Sequence, residues 1–467
     1  LHSFPTRRSS DLAPLKIDIK DEKQEEQRIK EISYIEKKVK EAKKLLRKML
    51  MASDLQVEWA KNSYDTIHLK EEVFEDFFCV CVCLTPWNKK CLQYLKSINI
   101  ICEKFNDKLT KGLSGSLTNL TNLNHLRIEF KRDFAASEIT DLGLIKLSES
   151  IAKLVYLHDL ELDFKSCEKI SDNGIIKLGS NLCKLTTLDR FQITFSKNGV
   201  YTDDGITKFG QSLAKMNNLN QLEVEFLNNK YISNDGIPSL INSVSKLPSL
   251  HNIRLSLIEL DSFNDSGFNQ LGQHLSSMYN LKRLRLDMTL KSDTVVSQLA
   301  QMISKLINLQ ALQLNMENMN RVTINGMNQL YYSLSKLEYL NHLHLTFRHW
   351  WTIHASITNL EQTLSKLRGL KELHLELIDS WCLKDEEMIH FSQILSRCTS
   401  LTQFSIKHDH GLTDRGITTL SGALSLLFHL TYLKFDFIGC TEISDTALSK
   451  ISTAISRMPE LSHFELR

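Results

Sequence analysis

The sequence predicts an α/β solenoid, in which strand–turn–helix units stack into an open array with a parallel sheet along one side. Three observations support this prediction. The motif Leu-x-x-apolar-x-apolar recurs thirteen times, its spacing stays between 28 and 34 residues, and an amphipathic helix pattern follows the strand motif. Such a unit buries its apolar side only against its neighbours, so the array is expected to fold as one body. The motifs open at Leu95, Leu123, Leu157, Leu188, Leu219, Leu250, Leu281, Leu309, Leu340, Leu370, Leu401, Leu430 and Leu461.

The unit that opens at Leu157 illustrates how each segment is built. Leu160 and Leu162 alternate with acidic residues, which predicts a strand with apolar side chains in the core and charged ones outside. Ser171 then precedes an apolar pattern with steps of three, four and three residues, as is typical of a helix N-cap. The apolar stripe of that helix comprises Ile175, Leu178, Leu182 and Leu185.

The handedness of parallel crossover connections predicts a right-handed coil. Helices are wider than strands, so we expect the sheet on the concave side and the helices on the convex side. These units resemble the leucine-rich repeats of the ribonuclease-inhibitor-like class, over about 80% of the chain. Their Ser/Thr-Asp-x-Gly-Ile/Leu element is similar to that of F-box-type leucine-rich proteins. The resemblance implies a horseshoe that binds other molecules.

The chain departs from that class at the turn after the strand, where an Asn or Cys usually stands. Positions such as Lys131, Lys165 and Ser196 cannot build an asparagine ladder. We expect a column of phenylalanines to fill the turn instead. Its members are Phe130, Phe164, Phe195, Phe226, Phe347 and Phe437.

The chain divides into four segments. Residues 2–12 resemble the translation of a short-read sequencing adapter, so segment 1–12 is taken as an artefact. We predict that segment 13–50 forms a charged amphipathic helix; the alternative is that it forms an oligomerisation helix. We predict that segment 51–94 forms an N-terminal cap of the solenoid and that its apolar run 77–84 forms a buried strand. Segment 95–467 is the solenoid. The sequence lacks an initial Met and stops within the thirteenth motif, so we expect a fragment of a longer protein.

Composition narrows the classes of partner. The chain carries 57 basic and 55 acidic residues, a net charge of +2, which gives no indication of specific nucleic-acid binding. No apolar run is long enough to predict a membrane span. The ten cysteines form no paired framework, which favours reduced thiols and a cytoplasmic protein.

Sequence motifs for catalysis are missing. The chain contains no P-loop, no G-x-S-x-G, no H-E-x-x-H and no kinase signature, so we predict a non-enzyme without cofactor. His344 and His374 fall on neighbouring predicted strands, with Glu376 near. A zinc site needs three or four converging ligands, so no metal is predicted.

Candidate binding residues fall at the outward positions of the strands and in two loops. The early units display acidic residues and the middle units arginines, which predicts an electrostatically patterned protein-binding wall; the alternative is a solvated face of mixed charge. Histidines and tryptophans cluster further along, and the tryptophans predict an exposed contact patch, with loop filling as the alternative. The candidates are Asp159, Glu161, Asp163, Glu223, Glu225, Arg254, Arg285, His342, His344, His374, Trp350, Trp351 and Trp381.

The sequence therefore predicts a non-catalytic scaffold that recognises a protein partner through the concave face and adjoining loops. The alternative is the repeat region of a truncated larger protein. Candidates for that larger protein are a kinase, a GTPase-activating protein or a ubiquitin-ligase substrate adaptor.

Overall fold

The computed structural model describes residues 56–59, 66–70, 95–102, 106–130, 138–195, 199–227, 229–260, 262–350, 359–380 and 383–467. The adapter-like segment, the predicted helix over 13–50 and the predicted strand over 77–84 lie outside these residues.

The described part contains fifteen strands and twelve α-helices, which alternate from the third strand onward. The strands are β1 (Gln56–Trp59), β2 (Thr66–Lys70), β3 (Ser97–Cys102), β4 (His125–Phe130), β5 (Asp159–Asp163), β6 (Arg190–Phe195), β7 (Gln221–Leu227), β8 (Asn252–Ile258), β9 (Arg283–Thr289), β10 (Ala311–Glu317), β11 (His342–Arg348), β12 (Glu372–Ile378), β13 (Gln403–His408), β14 (Tyr432–Asp436) and β15 (His463–Leu466). The helices are α1 (Asp107–Leu117), α2 (Asp141–Ile151), α3 (Asp172–Leu182), α4 (Asp203–Leu213), α5 (Gly236–Val244), α6 (Asp265–Ser276), α7 (Asp293–Ile303), α8 (Ile324–Leu334), α9 (Leu360–Lys366), α10 (Asp385–Leu395), α11 (Asp414–Leu424) and α12 (Asp445–Ile455).

All fifteen strands form one open sheet in sequence order. Strands β2 to β15 are parallel, and β1 pairs antiparallel with β2. Each of the thirteen leucine motifs leads into one strand from β3 to β15, as the periodicity predicts. The chain is therefore an α/β leucine-rich-repeat solenoid. Strands β1 and β2 extend the first edge of the sheet within segment 51–94, and their role as a cap stays a prediction.

The core runs the length of the array between sheet and helices. Leu160 and Leu162 are fully buried and pair in register with Phe191 and Ile193 of the next strand, which are also fully buried. The predicted phenylalanine column is buried too. Its rings stack between neighbouring units, with centroids 5.4 Å apart for Phe130 and Phe164.

A second column, which the sequence analysis missed, consists of aspartates at the first residue of the helices. Asp141 accepts hydrogen bonds from both the backbone N–H (2.8 Å) and the hydroxyl (2.5 Å) of Ser171, the N-cap residue of the next unit. The same double contact joins Asp107 to Thr140, Asp172 to Thr202, Asp203 to Ser233, Asp293 to Thr323, Asp385 to Thr413 and Asp414 to Ser444. We call this column the aspartate ladder.

The ladder explains the glycine of the Ser/Thr-Asp-x-Gly element. A Cβ added at Gly174 would collide with the Asp141 carboxylate of the preceding unit. Glycine inside a helix costs about 1 kcal/mol relative to alanine, so the close approach of the carboxylate accounts for its presence.

The ladder is incomplete in the middle of the array. Asn234 accepts only from the backbone N–H of Asn264, at 2.9 Å. The hydroxyl of Ser292 lies 3.5 Å from Asp265, at the limit of a hydrogen bond, and Val295 stands where other units have glycine. In the same region α5 begins only at Gly236, and its N-cap residue Asp235 makes no side-chain cap. The units that begin with β7, β8 and β9 are therefore joined by fewer ladder bonds.

Candidate functional site

The outward positions of the strands form three rows that run across the sheet. Parallel pairing in register aligns the middle row, for example, as Glu161, Gln192, Glu223, Arg254 and Arg285. Adjacent strands lie about 4.8 Å apart, so charges in one row act on their neighbours. We call this surface the sheet face.

Strands β4 to β7 make one part of the sheet face strongly acidic. Their twelve outward positions hold six carboxylates and two arginines, a net charge of −4 with His125 neutral. We call this part the acidic segment. Its carboxylates are Glu129, Asp159, Glu161, Asp163, Glu223 and Glu225.

Both arginines of the acidic segment are engaged by its own carboxylates. Arg190 donates a hydrogen bond to Asp159, which also lies 2.8 Å from His125 Nδ1. Arg127 lies 3.1 Å from Glu129 and 3.2 Å from Glu161. Burial acts to raise the pKa of Asp159, but the hydrogen bonds from His125 and Arg190 outweigh it and hold that pKa below its ordinary value.

Two other carboxylates of the acidic segment lack that compensation. Burial raises the pKa of Glu161, although the charge of Arg127 opposes the rise. Burial also raises the pKa of Asp163, and repulsion from Glu129 and Glu225 adds to it. The acidic segment therefore holds negative charge against an electrostatic penalty, which a cationic group of a partner would relieve.

Strands β8 to β11 make the adjoining part of the sheet face basic. Their twelve outward positions carry Arg254, Arg283 and Arg285 against one carboxylate, Asp287, a net charge of +2 with histidines neutral. We call this part the basic segment. It surrounds a depression of about 350 Å³, whose lining extends from β7 to β12 and includes the short side chain of Ala311.

A buried carboxylate holds two of these arginines. Asp287, whose side chain is 5% exposed, accepts from Arg285 Nε at 3.2 Å and lies 3.6 Å from Arg254 Nε. Asn315 donates a further hydrogen bond to Asp287. Arg254 also lies 3.3 Å from Glu223 of the acidic segment. Arg254 and Arg285 are therefore fixed in place at the lining of the depression.

Arg283 differs from the other two arginines. It is exposed, and within the described residues no ion pair of its guanidinium is recorded. In the first row Arg283 and His342 flank Ala311 on either side. Arg283 is not among the candidate binding residues named from the sequence, where nothing distinguishes it from the candidate Arg285 on the same strand.

The predicted histidines meet as expected on β11 and β12. The rings of His344 and His374 lie 5.5 Å apart, and His344 Nε2 lies 3.5 Å from Glu376. Burial, with repulsion from His344, lowers the pKa of His374 to about 4, and its Nδ1 lies 2.6 Å from the Ser405 hydroxyl. His342 Nε2 lies 3.1 Å from Glu372.

These histidines do not assemble a metal-ligand set in the described part of the chain. The group whose potential ligand atoms converge there is Asp379, Asp409 and His410, near the ends of β12 and β13. Exposed acidic groups of this kind are common without a metal.

The predicted tryptophan patch is wrong for Trp350. Its side chain is fully buried, packs against Phe347 with ring centroids 5.4 Å apart, and donates from Nε1 to the Val322 carbonyl at 3.1 Å. A buried indole satisfied in this way fills a loop, which was the alternative interpretation. Trp351 and Trp381 lie outside the described residues.

Sequence reasoning missed a group of exposed apolar side chains beside the basic segment. Tyr279 (70% exposed), Ile307 (54%) and Tyr339 (64%) lie in the turns before β9, β10 and β11. The amide of Asn308 donates to the Tyr279 carbonyl at 2.8 Å, which holds the first two turns together. We call this group the apolar rim. The sequence feature that could have revealed this group is an apolar residue just before the first leucine in each of three consecutive motifs.

In the part of the chain that the structure describes, no helix has the length and apolar character needed to cross a bilayer. Cys167, Cys183, Cys398 and Cys440 are not in disulfide bonds.

No protein-family description matches the sequence, and no curated protein does. Among solved structures, the chain is similar to the yeast Rad7–Elc1 complex, with 16% identity, 84% of this chain and 86% of that chain covered, and a TM-score of 0.46. It is also similar to the TLR13–ssRNA13 complex, with 13% identity and a TM-score of 0.39. That match covers 88% of this chain and 53% of that chain. The chain thus spans about half of the TLR13 chain. These values support no inference about partners. The strand order and repeating units identify the fold as a leucine-rich-repeat solenoid.

Proposed function

We propose that this protein is a non-catalytic scaffold that binds a partner protein through the sheet face and the adjoining turns. The supporting observation is the division of that face into an acidic segment and a basic segment that adjoin between β7 and β8. Opposite charges in fixed neighbouring positions favour one orientation of a partner with the complementary pattern and disfavour others.

The dimensions of the face suit a protein partner. Eight strands at a spacing of about 4.8 Å give the two segments a joint length of about 34 Å. A standard protein interface buries about 800 Å² on each partner, and a face of this length with its adjoining turns reaches that size. A small molecule would use only the depression.

The chemistry of the face also favours binding over catalysis. Among the described outward residues, the Ser405 hydroxyl lies 2.6 Å from His374 Nδ1, as a nucleophile lies beside its base. A histidine with a pKa of about 4 is a weak base at neutral pH, far from the value that favours general-base catalysis. We further propose a cytoplasmic location, supported by the absence of disulfide bonds at four cysteines of the described residues. We also propose membership of the ribonuclease-inhibitor-like class, supported by the helix that follows each repeat strand from β3 to β14.

Affinity capture with matched charge variants tests this proposal. The full chain serves as bait, and captured proteins are quantified by mass spectrometry. One variant removes two charges from the acidic segment (Glu161→Gln with Glu223→Gln), and a second removes two from the basic segment (Arg283→Gln with Arg285→Gln). The control removes two charges from exposed helix positions (Lys146→Gln with Lys177→Gln).

We expect specific partners to be depleted with a sheet-face variant and retained with the helix control. Melting curves followed by circular dichroism serve as the check that all three variants remain folded. Partners that bind all three variants as well as they bind the wild type would contradict a role of the sheet face.

A further inference from the structure

We infer that the basic segment binds an acidic peptide segment of the partner, with one carboxylate or phosphate group seated in the depression over Ala311. This inference rests on the proposed function and specifies the chemistry of the partner. Four features of the described residues support it: the local charge, the fixed arginines, the space and the apolar rim.

At the depression, Arg283 is the arginine without a carboxylate partner among the described residues. The lining carries three arginines and two carboxylates, Glu223 at 3.3 Å from Arg254 and Glu372 at 3.1 Å from His342, and Asp287 contacts Arg254 and Arg285. Arg283 has no recorded ion pair within the described residues and is exposed beside the depression. An incoming oxyanion would therefore supply a countercharge to Arg283.

The arginines are positioned before any ligand arrives. Asp287 is an outward residue of the sheet face that the two arginines bury, and it accepts from Arg285 Nε. The two terminal nitrogens of that guanidinium therefore remain available to other acceptors. A guanidinium presents paired donors that match the oxygens of a carboxylate or phosphate. A fixed guanidinium loses less side-chain entropy on binding than a mobile one.

The space fits one acidic side chain with its adjoining backbone. The first row carries Arg283, Ala311 and His342, so the methyl group of Ala311 leaves a gap between two long side chains. The resulting volume of about 350 Å³ lies at the small end of the range for ligand pockets. A larger side chain at position 311 would occupy this gap.

The apolar rim lies at the same three units. Tyr279, Ile307 and Tyr339 precede the strands that carry Arg283, Ala311 and His342 by three or four residues. Exposed tyrosines next to a charged site provide contact area at low entropic cost. A peptide that places its acidic group in the depression can therefore lay an apolar residue on the rim.

Fluorescence anisotropy with defined peptides and the full chain tests the inference. The probes are labelled hexapeptides of glutamate, of glutamine and of lysine, and a glutamine hexapeptide with one phosphoserine. We expect the glutamate peptide to bind at least tenfold more tightly than the glutamine peptide. The lysine peptide can bind the acidic segment, so we expect its affinity to be unchanged by Arg283→Gln. Binding of the phosphoserine peptide at least as tight as that of the glutamate peptide, despite its smaller charge, would support a phosphate as the seated group.

Matched variants separate the depression from general electrostatic attraction. Arg283→Gln is expected to weaken glutamate-peptide binding roughly tenfold, because it removes one charge from the site. Arg190→Gln changes the same residue type in the same row of the acidic segment, and its effect is expected to stay within twofold. Equal effects of the two variants would overturn the inference.

A second pair of variants tests the space without changing charge. Ala311→Leu is expected to abolish peptide binding by filling the gap, whereas Ala311→Ser leaves it intact. Full binding by Ala311→Leu, or equal binding of the glutamate and glutamine peptides, would also overturn the inference. A further outcome is that the peptides show no specific binding while the sheet-face variants still capture fewer partners than the wild type. That result would leave the proposed function in place and would reject only the acidic chemistry assigned to the partner.

Discussion

The acidic and basic segments share one scaffold but differ in how their charges are neutralised. In the acidic segment, Arg127 and Arg190 are both engaged and still leave excess carboxylates, whose burial raises the pKa of Glu161 and Asp163. In the basic segment one buried carboxylate, Asp287, serves two arginines. The comparison shows that a repeat array can reverse the charge of its face between neighbouring units while the buried positions stay apolar.

The two segments also differ in the joints between their units. Under the acidic segment the aspartate ladder is continuous, from Asp107 through Asp203. Where the acidic and basic segments meet, Asn234 and Asp265 make single or marginal ladder contacts, whereas Asp293 further along makes the double contact again. We therefore expect neighbouring units to separate at lower free energy at the boundary of the two segments.

The largest expected effect is on the free energy of unfolding, and it tests whether the loop that holds Trp350, beside the basic segment, belongs to the core. Trp350→Ala should lower the free energy of unfolding by about 3–5 kcal/mol, because it empties a fully buried site. Urea denaturation measures the loss. Trp350→Phe keeps a ring and should lose about 1 kcal/mol for the hydrogen bond to Val322. If Trp350→Ala is as stable as the wild type but no longer binds the partner, Trp350 would instead belong to the binding surface.

The second effect compares the ladder in the two segments. Asp141→Ala leaves the N–H and hydroxyl of Ser171 without their acceptor and should cost about 2 kcal/mol. Asp265→Ala removes one contact at 3.5 Å and should cost roughly 1 kcal/mol less. Both residues begin a helix, so the helix-dipole contribution is common to them. Thermal denaturation of the two variants measures the difference, and equal losses would contradict a discontinuous ladder.

A double-mutant cycle isolates the close approach behind that ladder. Gly174→Ala should destabilise the wild type by about 1–3 kcal/mol, because the new Cβ meets the Asp141 carboxylate. In the Asp141→Ala background the collision is gone, and the helix propensity of alanine should make Gly174→Ala neutral or stabilising. Unfolding free energies from urea titrations of the four proteins give the coupling. Additive effects would show that the carboxylate does not require the glycine.

The next effect is a pH dependence of stability that Asp163 contributes in the acidic segment. The pKa of Asp163 is raised above its ordinary 3.8 in the folded protein, so the folded state binds this proton more tightly than the unfolded chain does. The ionised carboxylate therefore lowers stability above the folded pKa, and this penalty disappears as the pH falls towards 3.8.

Asp163→Asn should accordingly stabilise the protein at pH 7 by about 0.5 kcal/mol, with a smaller gain at pH 4.5. The Asn side chain can still accept from the Lys165 N–H, as Asp163 does at 2.8 Å. Parallel urea titrations at the two pH values give the comparison. A gain that grows on acidification would contradict the raised pKa.

The smallest effect is a response to salt. Raising NaCl from 0.05 to 0.5 M shortens the Debye length from roughly 14 Å to 4 Å and screens repulsion among the carboxylates of the acidic segment. The wild type should gain more stability than Glu161→Gln with Asp163→Asn, by a few tenths of a kcal/mol. Differential scanning calorimetry resolves this as a difference in Tm. An equal gain in both proteins would show that the acidic segment carries no net repulsion.

The sequence was sufficient for the repeat, the strand positions, the buried phenylalanine column and the charge of each outward residue. Each of these depends on contacts at a fixed spacing, so the period of two along a strand and the repeat of about 31 residues determine which residues face the core and which lie side by side. The approach of His344 to His374 was predictable for this reason, because both occupy the same position in adjacent units.

Only the tertiary structure decided how those residues are used. It buried Trp350 rather than exposing it, because the carbonyl of Val322 in the preceding unit accepts from the indole, which also packs on the ring of Phe347. It also brought Asp141 of one unit onto Ser171 of the next, and set Asp287 beneath two arginines from adjacent strands. Such contacts depend on side-chain directions and on distances of a few tenths of an ångström between units. A linear pattern specifies which residues are neighbours but not which atoms meet.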